Sequence, residues 1–330
     1  MRIESSVIAI SWIPSEAVEG LPKLPFSFAV THYDDPPPDR LVDIETMHRA
    51  DLFREANELK AWIEVDDNGK IVDQSHAGRG RIGVTRLRIG PKEVSVPAVA
   101  LPTMQNTEIG DGWVKFTQTA GGRTGMPAPR GIRGKPYFKW QSAIAWTTLT
   151  LIIYADGSSK HELTGASTFP RHWVYDKDGN LVQKSGVIDF DKWYREAHEE
   201  NTPWGAEDSP AVVSAVESDL ERELSLQIMR EGDKPKPERF EAGQTLVEQG
   251  EAGDELFLVL DGVFEVEVDG KVVAEVGPGA VVGERAVLEE GPRTATLRAK
   301  TTAKIVRVPG ELIEPSDLAE LALGRHREEG

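Results

Sequence analysis

Aromatic residues crowd one end of this chain, and that asymmetry limits the fold more sharply than any other feature. All eight Trp and all five Tyr precede Gly205, and no aromatic residue follows Phe264. One core draws on one pool of large side chains. The shift therefore predicts two domains with separately built cores, over residues 1–205 and 206–330, and 330 residues suffice for both. Between them, Ser209-Pro210 supplies an N-cap and a first-turn proline. Val213, Val216, Leu220, Leu224 and Ile228 then recur at three- and four-residue steps. A lead-in helix over 209–231 is expected, stopped by Lys234-Pro235-Lys236-Pro237.

The N-terminal part reads as an antiparallel β-rich (α+β) domain. Asn68-Gly69 separates Ala61–Val65 from Lys70–Val72 and signals a type I′ hairpin. Asp156-Gly157 divides Thr147–Tyr154 from Lys160–Leu163, and Asp178-Gly179 divides His172–Tyr175 from Leu181–Gln183. Leu149, Leu151 and Ile153 alternate with Thr148, Thr150 and Ile152, as in a sheet covered on one side. Helices are expected from Asp43 to Asn57 and from Asp191 to Glu199. Catalytic signatures are missing: the sequence has no G-x-S-x-G elbow, no HxH or HExxH, and no kinase motifs. No catalytic residue, metal site or cofactor is assigned. His32, His48, His76, His161, His172 and His198 read as scattered surface or core residues. Arg123, Arg130, Arg133 and Lys135 sit in the Gly- and Pro-rich stretch 121–136, which reads as a solvated loop, with an anion or partner contact as the alternative.

Charge and hydropathy exclude several classes. The net charge is −17, and both parts share it: 11 Lys+Arg against 20 Asp+Glu from Lys236 onward, and 27 against 35 before. A nucleic-acid backbone needs a positive field that neither part offers. No apolar run is long enough to span a bilayer, no signal peptide is indicated, and Cys is absent. A soluble cytoplasmic protein is expected, with no nucleic-acid or membrane partner. A homo-oligomer or a protein partner is left open.

From Phe240 onward, short apolar-alternating strands are cut by glycine turns, the pattern of a small antiparallel roll. Leu256, Leu258 and Leu260 alternate with Phe257 and Val259; Asp269-Gly270 turns toward Val272, Val273 and Val276; Ala303–Val308 makes a later strand. Gly250 and Gly253 in QGEAGDELF, Gly262, and the GE…PRTA stretch resemble the glycine frame and phosphate cassette of the cyclic-nucleotide-binding family. The resemblance covers about 75 residues in several ordered motifs. It implies a β-roll with flanking helices and a ligand that is cAMP or cGMP.

By that resemblance Arg293 meets the cyclic phosphate with its guanidinium fork. Glu284 accepts from the ribose 2′-hydroxyl. Gly283 lets the backbone approach, and amides near Arg285 and Ala286 add donors. Thr294, followed by Ala295 on the next strand, could bond the phosphate or a guanine, so the choice of base stays open. Leu318 or Leu321 is a candidate aliphatic cap over the base, on a brief helix begun by Ser316-Asp317. Gly310–Gly330 is too short for a helix-turn-helix. The expectation is a cyclic-nucleotide sensor in signal transduction that regulates its N-terminal domain or a partner. The alternative is an interaction or assembly protein whose roll has lost its ligand.

Overall fold

The computed structural model describes residues 1–18, 20, 23–28, 30–96, 98–125, 128–131, 138–185, 187–198, 201–205, 213–214, 224, 228, 236–313 and 315–328. The chain is mainly β, its paired strands are antiparallel, and it divides into two units, Met1–Ala211 and Val212–Gly330. Most of the lead-in segment lies outside the described residues. Within it Val213–Ser214 is extended rather than helical, and Leu224 and Ile228 are helical and buried.

In the N-terminal unit two sheets pack face to face. One runs Leu181–Ser185, Arg171–Tyr175, Arg2–Trp12, Glu55–Val65, Ile71–Ile82. The other runs Ser159–Ala166, Ile144–Tyr154, Trp113–Arg123, Val99–Ala100, with Met104–Gly110 also paired to Trp113–Arg123. Alternate residues of each strand point inward. Leu59, Ala61 and Ile63 are thereby buried with Val114, Phe116, Leu149, Leu151 and Ile153. The outer face of the first sheet is covered as well. Ile10, Trp12, Ala56, Trp173 and Tyr175 pack with Leu41, Ile44, Met47 and Phe53, so Glu55–Val65 is buried on both sides at its start.

Two helical expectations shorten. The helix expected to Asn57 covers only Ile44–Arg49, N-capped by Asp43, whose side chain accepts from the amides of Glu45 and Thr46. Asp51 adopts φ 57, which a continuing helix does not allow, and Arg54 onward is pulled into the sheet core. The second runs Phe190–Glu196, capped by Asp189.

The Asn68-Gly69 hairpin forms, but not as type I′. Only Gly69 has positive φ, at 79°. Its N–H donates to Asp66 O, and the Asp66 carboxylate takes the amides of Asn68 and Lys70. The side chain of Asp66 thus fixes a type I turn closed by one left-handed glycine, with a bulge beside it. Gly157 and Gly179 repeat this arrangement, each donating to the residue three before it. The type I′ turn occurs instead at Asp269-Gly270, where both residues have positive φ (52° and 75°).

A polar chain crosses the N-terminal core. Ser11 Oγ lies 2.5 Å from Glu55 Oε2 and 2.6 Å from His172 Nδ1, and His172 Nε2 lies 2.8 Å from Ser167 O. All of these groups are buried. Burial pushes the Glu55 carboxyl up to about 8 and the His172 imidazole down to about 4, so both are neutral at pH 7. The protons then order themselves: Glu55 donates to Ser11, Ser11 to His172 Nδ1, and His172 Nε2–H to Ser167 O. Thr147 Oγ1 adds a bond to Glu55 Oε1. Every polar atom in this chain is satisfied, which is what keeps its burial tolerable.

The C-terminal unit is the expected roll. One sheet runs Glu238–Phe240, Ala303–Pro309, Glu255–Asp261, Val281–Val282, and the other Thr245–Val247, Thr296–Ala299, Phe264–Val268, Lys271–Val276. The strand Glu255–Asp261 is covered on both faces. Phe257 and Val259 point into the roll with Phe264, Leu297 and Ile305. Leu256, Leu258 and Leu260 pack under Leu224, Ile228, Ile313, Leu318 and Leu321. The terminal helix, Pro315–Glu328, is longer than the brief one expected.

Candidate functional site

The seven sequence-derived residues, Gly283, Glu284, Arg285, Ala286, Arg293, Thr294 and Ala295, all line one cavity of about 210 Å³ in the roll. They come from two segments: the turn and short helix Gly283–Leu288, and the approach to the strand Thr296–Ala299. Thr294 and Ala295 lie in a bend just before that strand, not on it. Apolar walls come from Val247, Val266, Val268, Val282 and Leu297. These walls escaped sequence reasoning because Val in alternating strands marks a core just as well as a pocket; only closure of the roll separates the two.

Arg293 is the centre of the arrangement. It is 5% exposed, its Nη1 donates to Glu255 O at 2.8 Å, and its Nε–H is buried without a partner. Its backbone is locked: Arg293 N donates to Glu251 O at 2.6 Å, and Gly250 N donates to Arg293 O at 2.8 Å. Phe257 lies beneath it, with the guanidinium carbon 4.9 Å from the ring centroid. Burial pulls the guanidinium's pKa down. The carboxylates of Glu255 and Asp254 act against that, and Arg307 reinforces it. An arginine starts so high that it stays charged at neutral pH.

Two glycines make this placement possible. A Cβ on Gly253 would sit 2.3 Å from Arg293 Nε and Nη2. At Gly283 it would sit 2.8 Å from Nη1 and 3.1 Å from Glu255 O, and φ 95° at that residue disfavours any side chain. The guanidinium is thus held in a slot that only glycine leaves open. Gly253 was legible as part of a glycine frame, but its contact with Arg293 was not.

Glu284 is buried at the start of the short helix, and Arg285 is half-buried beside it. Glu289 and Glu290 are exposed and do not line the cavity, whose charged lining residues are Glu284, Arg285 and Arg293. Leu318 and Leu321 are not among its lining residues either. They are buried in the cluster on the other face of Glu255–Asp261, which corrects their expected role as a cap. Among the described residues no group of three or more His, Asp or Glu could hold a metal, and no helix is long and apolar enough to cross a membrane. The stretch read as a basic loop is partly strand: Arg123 ends Trp113–Arg123 and donates to Ser142 O at 3.2 Å, Arg130 lies in Ala128–Gly131, and Arg133 and Lys135 lie outside the described residues.

Several known proteins resemble the C-terminal third of this chain. A cGMP-dependent protein kinase of Toxoplasma gondii is 35% identical over 77 residues, 23% of this chain and 8% of the kinase. The cGMP-dependent protein kinase egl-4 of Caenorhabditis elegans is 37% identical over 67 residues, 20% of this chain and 9% of that protein. The matched stretch therefore spans less than a tenth of these relatives. Among solved structures, Sp-2Cl-cAMPS bound to PKAR CBD2 aligns over 33% of this chain and 79% of that one, at 24% identity and TM-score 0.26. The catabolite activator protein of Thermus thermophilus aligns over 34% and 56%, at 26% identity and TM-score 0.27. Residues 237–314 match the family model of the cyclic nucleotide-binding domain.

Proposed function

We propose that the C-terminal unit binds a cyclic nucleotide, cAMP or cGMP, and that occupancy is the input of a sensor acting on the N-terminal unit or on a partner. One observation carries the reading: a buried guanidinium, held between two glycines on the wall of a ligand-sized cavity, whose Nε–H has no partner. Leaving a charged donor unsatisfied in the interior is costly, and a phosphate oxygen removes that cost. In this reading the phosphate sits on Arg293 and near the first-turn amides of Arg285 and Ala286. Glu284 takes the ribose hydroxyl, and the base lies along Val247, Val266 and Val268. Thr294 borders the cavity where it can reach either phosphate or base, and it is the residue on which base choice turns.

The test is calorimetry of the full chain with cAMP and cGMP, beside Arg293→Ala. Loss of a charge-assisted contact of about 3 kcal/mol corresponds to a drop of roughly 100-fold. If neither nucleotide binds the wild type at high micromolar concentration, the reading fails and the roll is an assembly module.

A further inference from the structure

The N-terminal unit holds a larger cavity, of about 370 Å³, that is independent of the nucleotide reading. Contacts among its lining residues divide them into two walls. Phe169, Phe190, Trp193 and Tyr194 make the first: Phe169 meets Trp193 at 4.8 Å and Phe190 edge-on at 5.1 Å, and Phe190 stacks on Tyr194 at 5.6 Å. The indole N–H of Trp193 is spent on Ile144 O at 2.8 Å, so this ring contributes apolar surface alone.

The second wall is polar. It takes Thr31, His32 and Asp34 from one segment, Arg54 from the start of the core strand, and Thr85 and Arg86 from the strand Thr85–Ile89. Val30 O accepts the amide of Arg88 at 2.6 Å and so ties the first segment to that strand. Asp34 and Arg54 are spent on each other. Arg54 Nε donates to Asp34 at 3.1 Å, Asp34 also accepts the amide of Ile13, and Arg54 gives its other nitrogens to Val84 O and Asp51 O. Thr85 Oγ1 accepts the amide of Gly125. Arg86 differs. Its side chain is 45% exposed, and its Nε and Nη1 lie 3.4 and 3.7 Å from the carboxylates of Asp51 and Glu93. Its guanidinium makes no hydrogen bond to a described residue, and neither of those carboxylates lines the cavity.

We propose that this cavity is a second ligand site, which takes a flat aromatic molecule bearing a carboxylate, its rings against the aromatic wall and its carboxylate on Arg86. Aromatic walls favour a flat apolar body, and the volume lies at the small end of ligand pockets. The one carboxylate of the lining, Asp34, is already paired, which leaves Arg86 as a cation with donors to spend. A guanidinium fork matches a carboxylate in shape and charge. Because Arg86 is half-exposed, the charged end of the ligand keeps part of its water and avoids the full cost of burial.

The test uses 2-naphthoate and its neutral counterpart, 2-naphthalenemethanol, as probes in calorimetry of the full chain. The wild type is expected to bind the carboxylate about fivefold more tightly than the alcohol at low salt, with the gap closing near 1 M salt. Arg86→Gln is expected to lose about fivefold in affinity for 2-naphthoate and nothing for the alcohol, while Arg86→Lys stays within about threefold of wild type for both. A merely structural role for Arg86 would move both probes together, and that result overturns the proposal. No binding of 2-naphthoate to the wild type up to about 1 mM overturns it too, as does equal affinity for the two probes. Thermal melts of Arg86→Gln separate a lost contact from a lost fold.

Discussion

Two buried polar centres, one in each unit, solve opposite problems. In the N-terminal sandwich, Glu55, Ser11, His172 and Ser167 form a closed chain of neutral groups in which each proton has a place. In the C-terminal roll, Arg293 is buried with one N–H unspent and lines a cavity. The first arrangement is finished by folding itself, because neutral partners cancel the cost of burial. The second is left incomplete, and the lack of a Cβ at 253 and 283 leaves the space that holds it. Burial of a polar group therefore does not mark a binding site. A buried group left open beside a cavity is what the proposed nucleotide site rests on.

The sharpest way to break this contrast is Gly253→Ala. The added Cβ would meet the guanidinium at 2.3 Å, so Arg293 has to leave its slot although nothing that would touch ligand is changed. Nucleotide affinity is expected to fall about 30-fold or more, measured by calorimetry, with the melting temperature little altered. Unchanged affinity would show that the slot does not position Arg293.

The next effect tests the closed chain through pH. The unfolded chain ionises Glu55 near 4.5, the folded one near 8. From pH 6.5 to 8 the folded state keeps a proton that the unfolded state releases, so stability falls as pH rises, by about 1.4 kcal/mol per unit. His172 acts in the opposite sense: its folded value near 4 lies below the unfolded 6.5, and stability is lost as pH falls between them. The two offset each other between about 4.5 and 6.5. Glu55→Gln, neutral and still able to donate to Ser11, is expected to flatten the decline above pH 6.5 in denaturant melts of the N-terminal unit. A persistent slope would mean that Glu55 is ionised inside the core.

The smallest effect concerns the turns. Gly69 has φ 79° and open space where a Cβ would go, so Gly69→Ala tests backbone strain alone and is expected to cost about 1 kcal/mol. A cost near zero would show that the turn relaxes.

Much of the roll was legible because its cues are local. Glycine turns and two-residue alternation place Leu256, Phe257 and Leu258 on a strand whatever surrounds them, and Arg293 and Glu284 stand at spaced positions in a recognisable motif. The helix toward Asn57 was over-extended because Phe53 and Ala56 suit a helix stripe as well as a sheet. What ended it was Asp51 in a left-handed conformation and a core on both faces of the strand. Asn68-Gly69 misled for a related reason: the dipeptide permits type I′, but the carboxylate of Asp66 captures the neighbouring amides first. Leu318 and Leu321 were read as a cap because sequence places them after the cassette without saying which face of Glu255–Asp261 they cover.

Resemblance to a known family singled out Arg293 and Glu284; by itself, the amino-acid order determined that this protein has two differently built cores and that its C-terminal third is a glycine-framed roll. Those are matters of composition, period and spacing, which nearby residues settle. Tertiary structure decided the rest. Gly253 meeting the guanidinium, Phe257 beneath it and the Glu55–Ser11–His172 chain all join residues far apart in sequence. Whether a buried polar atom finds a partner is settled only when distant strands close around it.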